Sequence, residues 1–414
     1  MEYIRRVVDD ELDDILPELS AISLEGPRGV GKTATAERRC RTVRYLDQPA
    51  QHALADADPA VVLSGNPPIL IDEWQRVPAV WDAVRRSVDH GSAPGSFILT
   101  GSAAPGQAPT HTGAGRIVPI RLRPMTLTER GVGAPAVSLS ALLKQSDPQL
   151  SGATSVSLRD YAAEIVTSGF PAMRTLSGRA HRMQMHGYLQ RVIDTDFPEQ
   201  GVPTRRPELL RRWLAAYAAA TATTASYETI RDAATAGHGD KPAKTTTQPY
   251  RDVLERLWVL DPVPAWIPSR NHLNRLSQSP KHHLADPALA ASAMGLDLDA
   301  LLGTEGTMLG NLFESLVTLN VRVFSQYAEA SVGHLRLHGG RHEIDLIVER
   351  GDKKILAIEV KLSAAIHDDD VRNLQWLQRE IGPDLVDMVV INTGPEAYRR
   401  KDGIAVIPAA LLGP

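Results

Sequence analysis

Residues 26–33 read Gly26, Pro27, Arg28, Gly29, Val30, Gly31, Lys32 and Thr33, and match GxxxxGK[ST] at every defined position. The glycines let consecutive backbone N–H groups turn toward a β-phosphate. Lys32 supplies a point charge near the β- and γ-phosphates, and the Thr33 hydroxyl is suited to ligate magnesium. The flanks agree, with an apolar strand expected at 21–24 and a helix at 34–41. All eight residues are therefore assigned to binding a nucleoside triphosphate, expected to be ATP with Mg2+.

Outward from this loop, 42–46 reads as a second strand, and 69–71 and 97–99 as buried strands with an amphipathic stretch at 81–88 between them. Such alternation predicts an α/β domain with a parallel sheet covered by helices. The run Ile69, Leu70, Ile71 ends in Asp72 and Glu73. Asp72 at a strand end can hold magnesium through water, and Glu73 can polarise the attacking water as general base. Without the upstream loop the pair would read as a strand running into an acidic helix start. The next strand ends in Thr100, Gly101 and Ser102, a polar group at the strand end whose bland reading is a strand cap. Arg116 reads as an arginine finger, an internal sensor or a structural arginine. Sequence does not separate it from Arg121 and Arg123.

At 414 residues the chain exceeds one hydrophobic core, and about 100 to 200 residues per domain suggests two to four domains. Three are expected: 1–140, 158–300 and 305–414. An apolar fraction of 43% with 23% charged residues is that of a globular protein, and a net charge of −4 excludes a globally basic nucleic-acid coat. The single cysteine, Cys40, excludes an internal disulfide framework and a multi-cysteine zinc site, and is expected half-buried on a helix. The first 17 residues carry Glu2, Asp9, Asp10, Glu11, Asp13 and Asp14, unlike a signal peptide. No apolar run approaches the roughly 18 to 20 residues that span a bilayer. A soluble, cytoplasmic protein with no membrane partner is expected.

Beyond an Ala-, Pro- and Gly-rich loop at 102–112 and a polar linker at 144–157, residues 158–260 turn helical and alanine-rich. Apolar spacings predict long helices at 178–195 and 207–223 in a bundle. Residues 226–263 read helix, polar turn, helix, with a short strand at 258–260, the pattern of a winged helix. Arg205, Arg206, Arg211, Arg212, Lys241 and Lys244 could neutralise DNA phosphates there, or form a solvated face. His282 and His283 are adjacent, would point to opposite faces of a strand, and are given no ligand role.

The last part is a separate α/β unit: a helix at 310–327, strands at 342–349, 355–361 and 386–391, and a helix at 368–380. Side chains two apart share a face, so Glu359 and Lys361 point together, and a hairpin brings Asp345 beside them. Asp345 and Glu359 would hold one or two magnesium ions, with Glu314 a further ligand, and Lys361 would orient or activate the attacking water. Asp345, a thirteen-residue spacer and Glu359-Val360-Lys361 follow the PD-(D/E)xK pattern. Cleavage activity is a separate matter, and a fold that only binds fits the same residues.

Several stretches occur in a fixed succession: GPRGVGKT at 26–33, LIDEWQRVP at 70–78, FILTGS at 97–102, GR at 115–116, RPMTLTE at 123–129, SGFP at 168–171, SPKHHLADPALA at 279–290 and EIDLIVERGDKKILAIEVKLS at 343–363. In this succession the chain resembles a widespread prokaryotic family of AAA-type ATPases fused to a C-terminal PD-(D/E)xK nuclease-like domain of unknown function. The resemblance spans almost the whole chain. It implies ATP binding and hydrolysis, a γ-phosphate sensor at Thr100 or Ser102, a winged-helix-like middle region and a DNA-linked role. It admits a homo-oligomer and equally a monomer. SGFP departs from the family's second glycine and following acid, and the unusual loop before Gly115 leaves the finger residue open. An ATP-dependent switch or scaffold with an inactive nuclease fold is the competing reading.

Overall fold

The structure is a computed structural model that describes residues 3–101, 113–144, 150–202, 206–235, 244–268, 279–303, 306–337 and 339–414. Its first third runs α1 (Val7–Ile15), β1 (Ala21–Glu25), α2 (Lys32–Glu37), β2 (Thr42–Tyr45), α3 (Pro49–Ala57), β3 (Ile69–Asp72), α4 (Ala79–Asp89), β4 (Phe97–Gly101) and β5 (Val118–Arg121). The strands form one sheet in the order β2-β3-β4-β1-β5, and every pairing is parallel. Successive side chains point to opposite faces and both faces are covered, so the central strands are apolar apart from Ser23 and their carboxyl ends. Ile22, Leu24, Leu70 and Ile98 pack into one core, while Ala21, Ile69, Ile71, Phe97 and Leu99 pack into another on the opposite face. Helix α2 ends at Glu37, so half-buried Cys40 lies just beyond it and not on the expected helix.

The middle region begins with β6 (Val137–Ser138) and α5 (Leu139–Lys144), then α6 (Leu158–Thr167) and α7 (Gly178–Arg191). Helix α7 continues as a π turn, Val192–Asp196, into α8 (Phe197–Glu199). Next come α9 (Pro207–Ala219), α10 (Tyr227–Thr235), α11 (Lys244–Arg256), α12 (Pro287–Met294) and α13 (Leu298–Leu302). Helices α10 and α11 match the helix pair expected of a winged helix, but the strand expected at 258–260 does not form. Trp258 is left-handed, with φ +60°, and only isolated bridges follow among the described residues, Leu260 with Leu284, Val263 with Lys281 and Ala265 with His334. The polar turn with Lys241, the loop with Ser102, and Arg205 lie outside the described residues.

The last third runs α14 (Gly306–Tyr327), β7 (Ser331–Arg336), β8 (Glu343–Glu349), β9 (Ile355–Val360), α15 (Asp368–Ile381), β10 (Leu385–Asn392), β11 (Tyr398–Arg399), β12 (Ala405–Pro408) and β13 (Leu412–Gly413). Its sheet is mixed, in the order β11-β12-β10-β9-β8-β7. Strands β7 to β9 form an antiparallel meander, and β10 then pairs parallel with both β9 and β12. Strand β13 leaves this sheet and pairs parallel with β6, Leu412 opposite Val137. One apolar core therefore extends through residues from Val7 to Leu412. No helix among the described residues is long and apolar enough to cross a membrane.

Candidate functional site

The parallel order brings the carboxyl ends of β1, β3 and β4 side by side, with Leu24 and Asp72 both opposite Thr100. The phosphate loop leaves β1 here. Gly26 is required because a Cβ on it would stand 2.2 Å from the Leu122 carbonyl oxygen. Gly31 precedes α2 with φ +108°, a left-handed value that favours glycine. The Lys32 ammonium folds back over the loop and donates to the carbonyls of Gly26 at 2.7 Å and Pro27 at 2.9 Å. Burial pushes Lys32 down to about 8, with Arg121 and Arg28 acting the same way against the charges of Glu73 and Asp72.

Thr33 Oγ1 donates to Asp72 Oδ1 at 2.9 Å, and Thr100 Oγ1 donates to the same oxygen. Burial raises the Asp72 carboxyl, while these two hydrogen bonds oppose the shift. Glu73 is left-handed at φ +55°, which turns it out of the strand line, and Gln75 Nε2 donates to its Oε2 at 2.6 Å. Lys32, Thr33, Asp72, Glu73 and Thr100 thus meet at the carboxyl end of the three central strands.

The arginines sort differently. Arg116 is not brought to this group: it is half-exposed and donates to Asp89 at the end of α4, 2.8 Å away. Arg121 stacks on Trp258, 3.5 Å from the ring centroid, and Arg123 donates to Asp261 at 2.8 Å. Arg28, at the tip of the loop, is ion-paired with Asp196 of the π turn, and the Tyr188 hydroxyl donates to its carbonyl at 3.2 Å. Sequence reading missed Arg6. Its guanidinium donates to the carbonyls of Val30 at 3.2 Å and Arg123 at 2.7 Å and lies 3.1 Å from Glu129 Oε1, bracing the loop from behind. An arginine in an acidic segment gives no signal of that role.

Among the basic residues weighed for DNA, Arg211 is paired with Asp194 and Glu208, and Lys244 opens α11. In the C-terminal unit the β8–β9 pairing sets Leu346 opposite Ile358, and Asp345 Oδ2 accepts from the Val360 N–H at 2.9 Å. Lys361 Nζ donates to Glu359 Oε2 at 2.9 Å. Asp345, Glu359 and Lys361 therefore do converge, as the hairpin reading expects. Lys281 Nζ joins them, donating to Glu314 Oε1 at 2.8 Å and Asp345 Oδ1 at 2.9 Å, and lying 3.3 Å from Glu343 Oε1. Burial and the Asp345 charge raise the carboxyls of Glu314 and Glu359. Burial acts on Asp345 in the same direction, but Lys281 and Lys361 outweigh it and hold Asp345 ionised.

No group of three or more His, Cys, Asp or Glu among the described residues is arranged to hold a metal ion. The Lys281 ammonium thus lies between Glu314 and Asp345, two of the three carboxylates expected from sequence to hold magnesium.

Comparison with known proteins gives three family matches along the chain. Residues 19–130 match an AAA domain. The first third is an AAA-type P-loop domain. Residues 158–300 match a domain of unknown function (DUF8612), and residues 309–412 match another (DUF4143). Uncharacterized proteins of Mycobacterium bovis and Mycobacterium tuberculosis are each 27% identical over 322 residues, covering 76% of this chain and 64% of theirs. The chain thus spans less than two thirds of the length of these curated relatives. Among solved structures, a Walker-type ATPase of Pyrococcus abyssi aligns with a TM-score of 0.36 at 14% identity, over 69% of this chain and 94% of its own. The ORC2 protein of Aeropyrum pernix aligns with a TM-score of 0.31 at 13% identity, over 74% and 95%.

Proposed function

We propose that this chain is a Mg2+-dependent ATPase whose nucleotide cycle acts on its own C-terminal domain. The observation that carries the reading is the Asp72 carboxylate oxygen shared by the Thr33 and Thr100 hydroxyls, directly beyond the loop that carries Lys32. Hydroxyl and carboxylate oxygens on a hard-cation scale suit Mg2+, so Thr33 and Asp72 are the residues that would hold it. The ion supplies neutralisation of the β- and γ-phosphate charge. Loop N–H groups from Gly26 to Thr33 cradle the phosphates, and Lys32 exchanges its two carbonyl partners for phosphate oxygens. Glu73 takes the proton of the attacking water, and Thr100 lies where a hydroxyl can report the γ-phosphate. Equilibrium binding of a fluorescent ATP analogue tests the assignment: Lys32→Ala is expected to abolish it, and wild-type affinity in that variant would overturn the reading.

The three-part division at about residues 140 to 158 and 300 to 305 assigns the helical region to transmission and the last part to output. Contact of Asp196 and Tyr188 with the loop tip at Arg28 supports that order. For the output, the convergence of Asp345, Glu359 and Lys361 supports a nuclease-like domain that engages DNA. Lys281 favours binding over cutting.

A further inference from the structure

Lys281 belongs to the segment that follows α11, not to the hairpin or helix that carry the carboxylates. Its backbone is fixed by reciprocal N–H to carbonyl bonds with Val263, each 2.9 Å, and its side chain is only 1% exposed. The ammonium is therefore delivered into the cluster by a rigid anchor. It donates to Glu314 and Asp345 and lies beside Glu343, which Arg336 Nη1 also approaches at 3.4 Å.

A magnesium ion needs oxygen ligands at about 2.0–2.1 Å in near-octahedral array. An ion using Glu314 Oε1 and Asp345 Oδ1 would have to occupy the volume of Nζ. The second Asp345 oxygen is engaged by the Val360 N–H. Glu359 Oε1 has no hydrogen-bond partner among the described residues, but one oxygen is not a metal site, and its companion oxygen holds Lys361. Four carboxylates, Glu314, Glu343, Asp345 and Glu359, already face three cations, Lys281, Lys361 and Arg336. A divalent ion would meet positive charge at the same oxygens that should attract it.

We infer that Lys281 is the resident cation of this cluster, standing where a nuclease fold would hold its metal, so that the C-terminal domain keeps a nuclease-like arrangement without metal-dependent cleavage. The tethered ammonium also clamps the 279–286 segment to α14 and β8. None of this depends on the nucleotide reading, and its test uses no ATP.

Calorimetric titration of the nucleotide-free full chain with Mn2+ is expected to give the same isotherm for wild type and Asp345→Asn. Lys281→Ala should gain one Mn2+ equivalent, lost again when Asp345→Asn is added. Either a wild-type equivalent that Asp345→Asn removes, or a folded Lys281→Ala protein that gains none, overturns the inference. Should Lys281→Ala fail to fold, the wild-type titration still decides, together with plasmid nicking in Mg2+ or Mn2+. Nicking abolished by Asp345→Asn refutes the inference, and its absence agrees.

Discussion

Asp72 accepts two hydroxyl donors on one carboxylate oxygen, and this polar contact ties the ends of two strands, β3 and β4, to the phosphate loop. The neighbouring Glu73 does not extend the strand: its left-handed backbone carries the carboxylate to Gln75. A residue held in that region costs on the order of 1–3 kcal/mol, which surrounding structure must offset. In its proposed role as general base, Glu73 contributes to turnover and not to ground-state binding. Glu73→Gln is expected to bind ATP like the wild type while kcat falls by about 10²–10⁴-fold; steady-state phosphate release measures it, and an unchanged kcat would exclude Glu73 as the base. The motif residues were legible in sequence because phosphate binding needs particular residue types at fixed local spacing. Arg6 was not, since its three contacts lie 24 to 123 positions away.

At the scale of elements, Asp261 joins β5 to α14 by way of the segment after α11. It is within reach of Arg121, Arg123 and Arg322, and Arg322 also donates to its backbone carbonyl. Burial would raise the Asp261 carboxyl, but Arg123, Arg322 and Arg121 together hold it well below the usual carboxylate range. A depressed folded value means that its stabilisation is fully present above the unfolded value of about 3.9 and is lost as pH falls below it. Asp261→Asn leaves buried guanidinium groups uncompensated and should cost about 3–5 kcal/mol at neutral pH. Urea unfolding of both proteins at pH 7 and below pH 3.9 checks the sign: the gap should narrow in acid. A gap that stays constant would show that the charge is not what matters. Helix pair α10–α11 was readable as a helix, polar turn, helix succession, whereas β7, whose register with β8 shifts between Gly333 and Leu335, was missed.

On the scale of the whole molecule, the chain closes on itself. Leu411 and Leu412 are buried, Ala136 N–H donates to the Leu411 carbonyl, and β13 completes β6. Removing residues 409–414 should therefore weaken a junction more than 270 positions upstream. Burial of each leucine contributes about 1.5–3 kcal/mol, so a single lower and less cooperative melting transition is expected by calorimetry. An unchanged melt would show that the closure carries no stability. The segment from Lys281 to Asp286 makes a second long connection. Lys281 enters the C-terminal carboxylates, and Asp286 accepts from the Ser168 hydroxyl at 3.2 Å and the Gly169 N–H at 2.6 Å, near Arg130.

The sequence by itself determined the loop from Gly26 to Thr33, the acidic strand end, the parallel sheet around them and the Asp345 to Lys361 hairpin. Each is written within a few residues, where spacing and period dictate geometry. Tertiary structure alone decided which arginine meets which carboxylate, and that Lys281 fills the cluster at Glu314 and Asp345. Those pairings join residues far apart in the chain, and Coulomb attraction between them acts only after folding has brought the charges together.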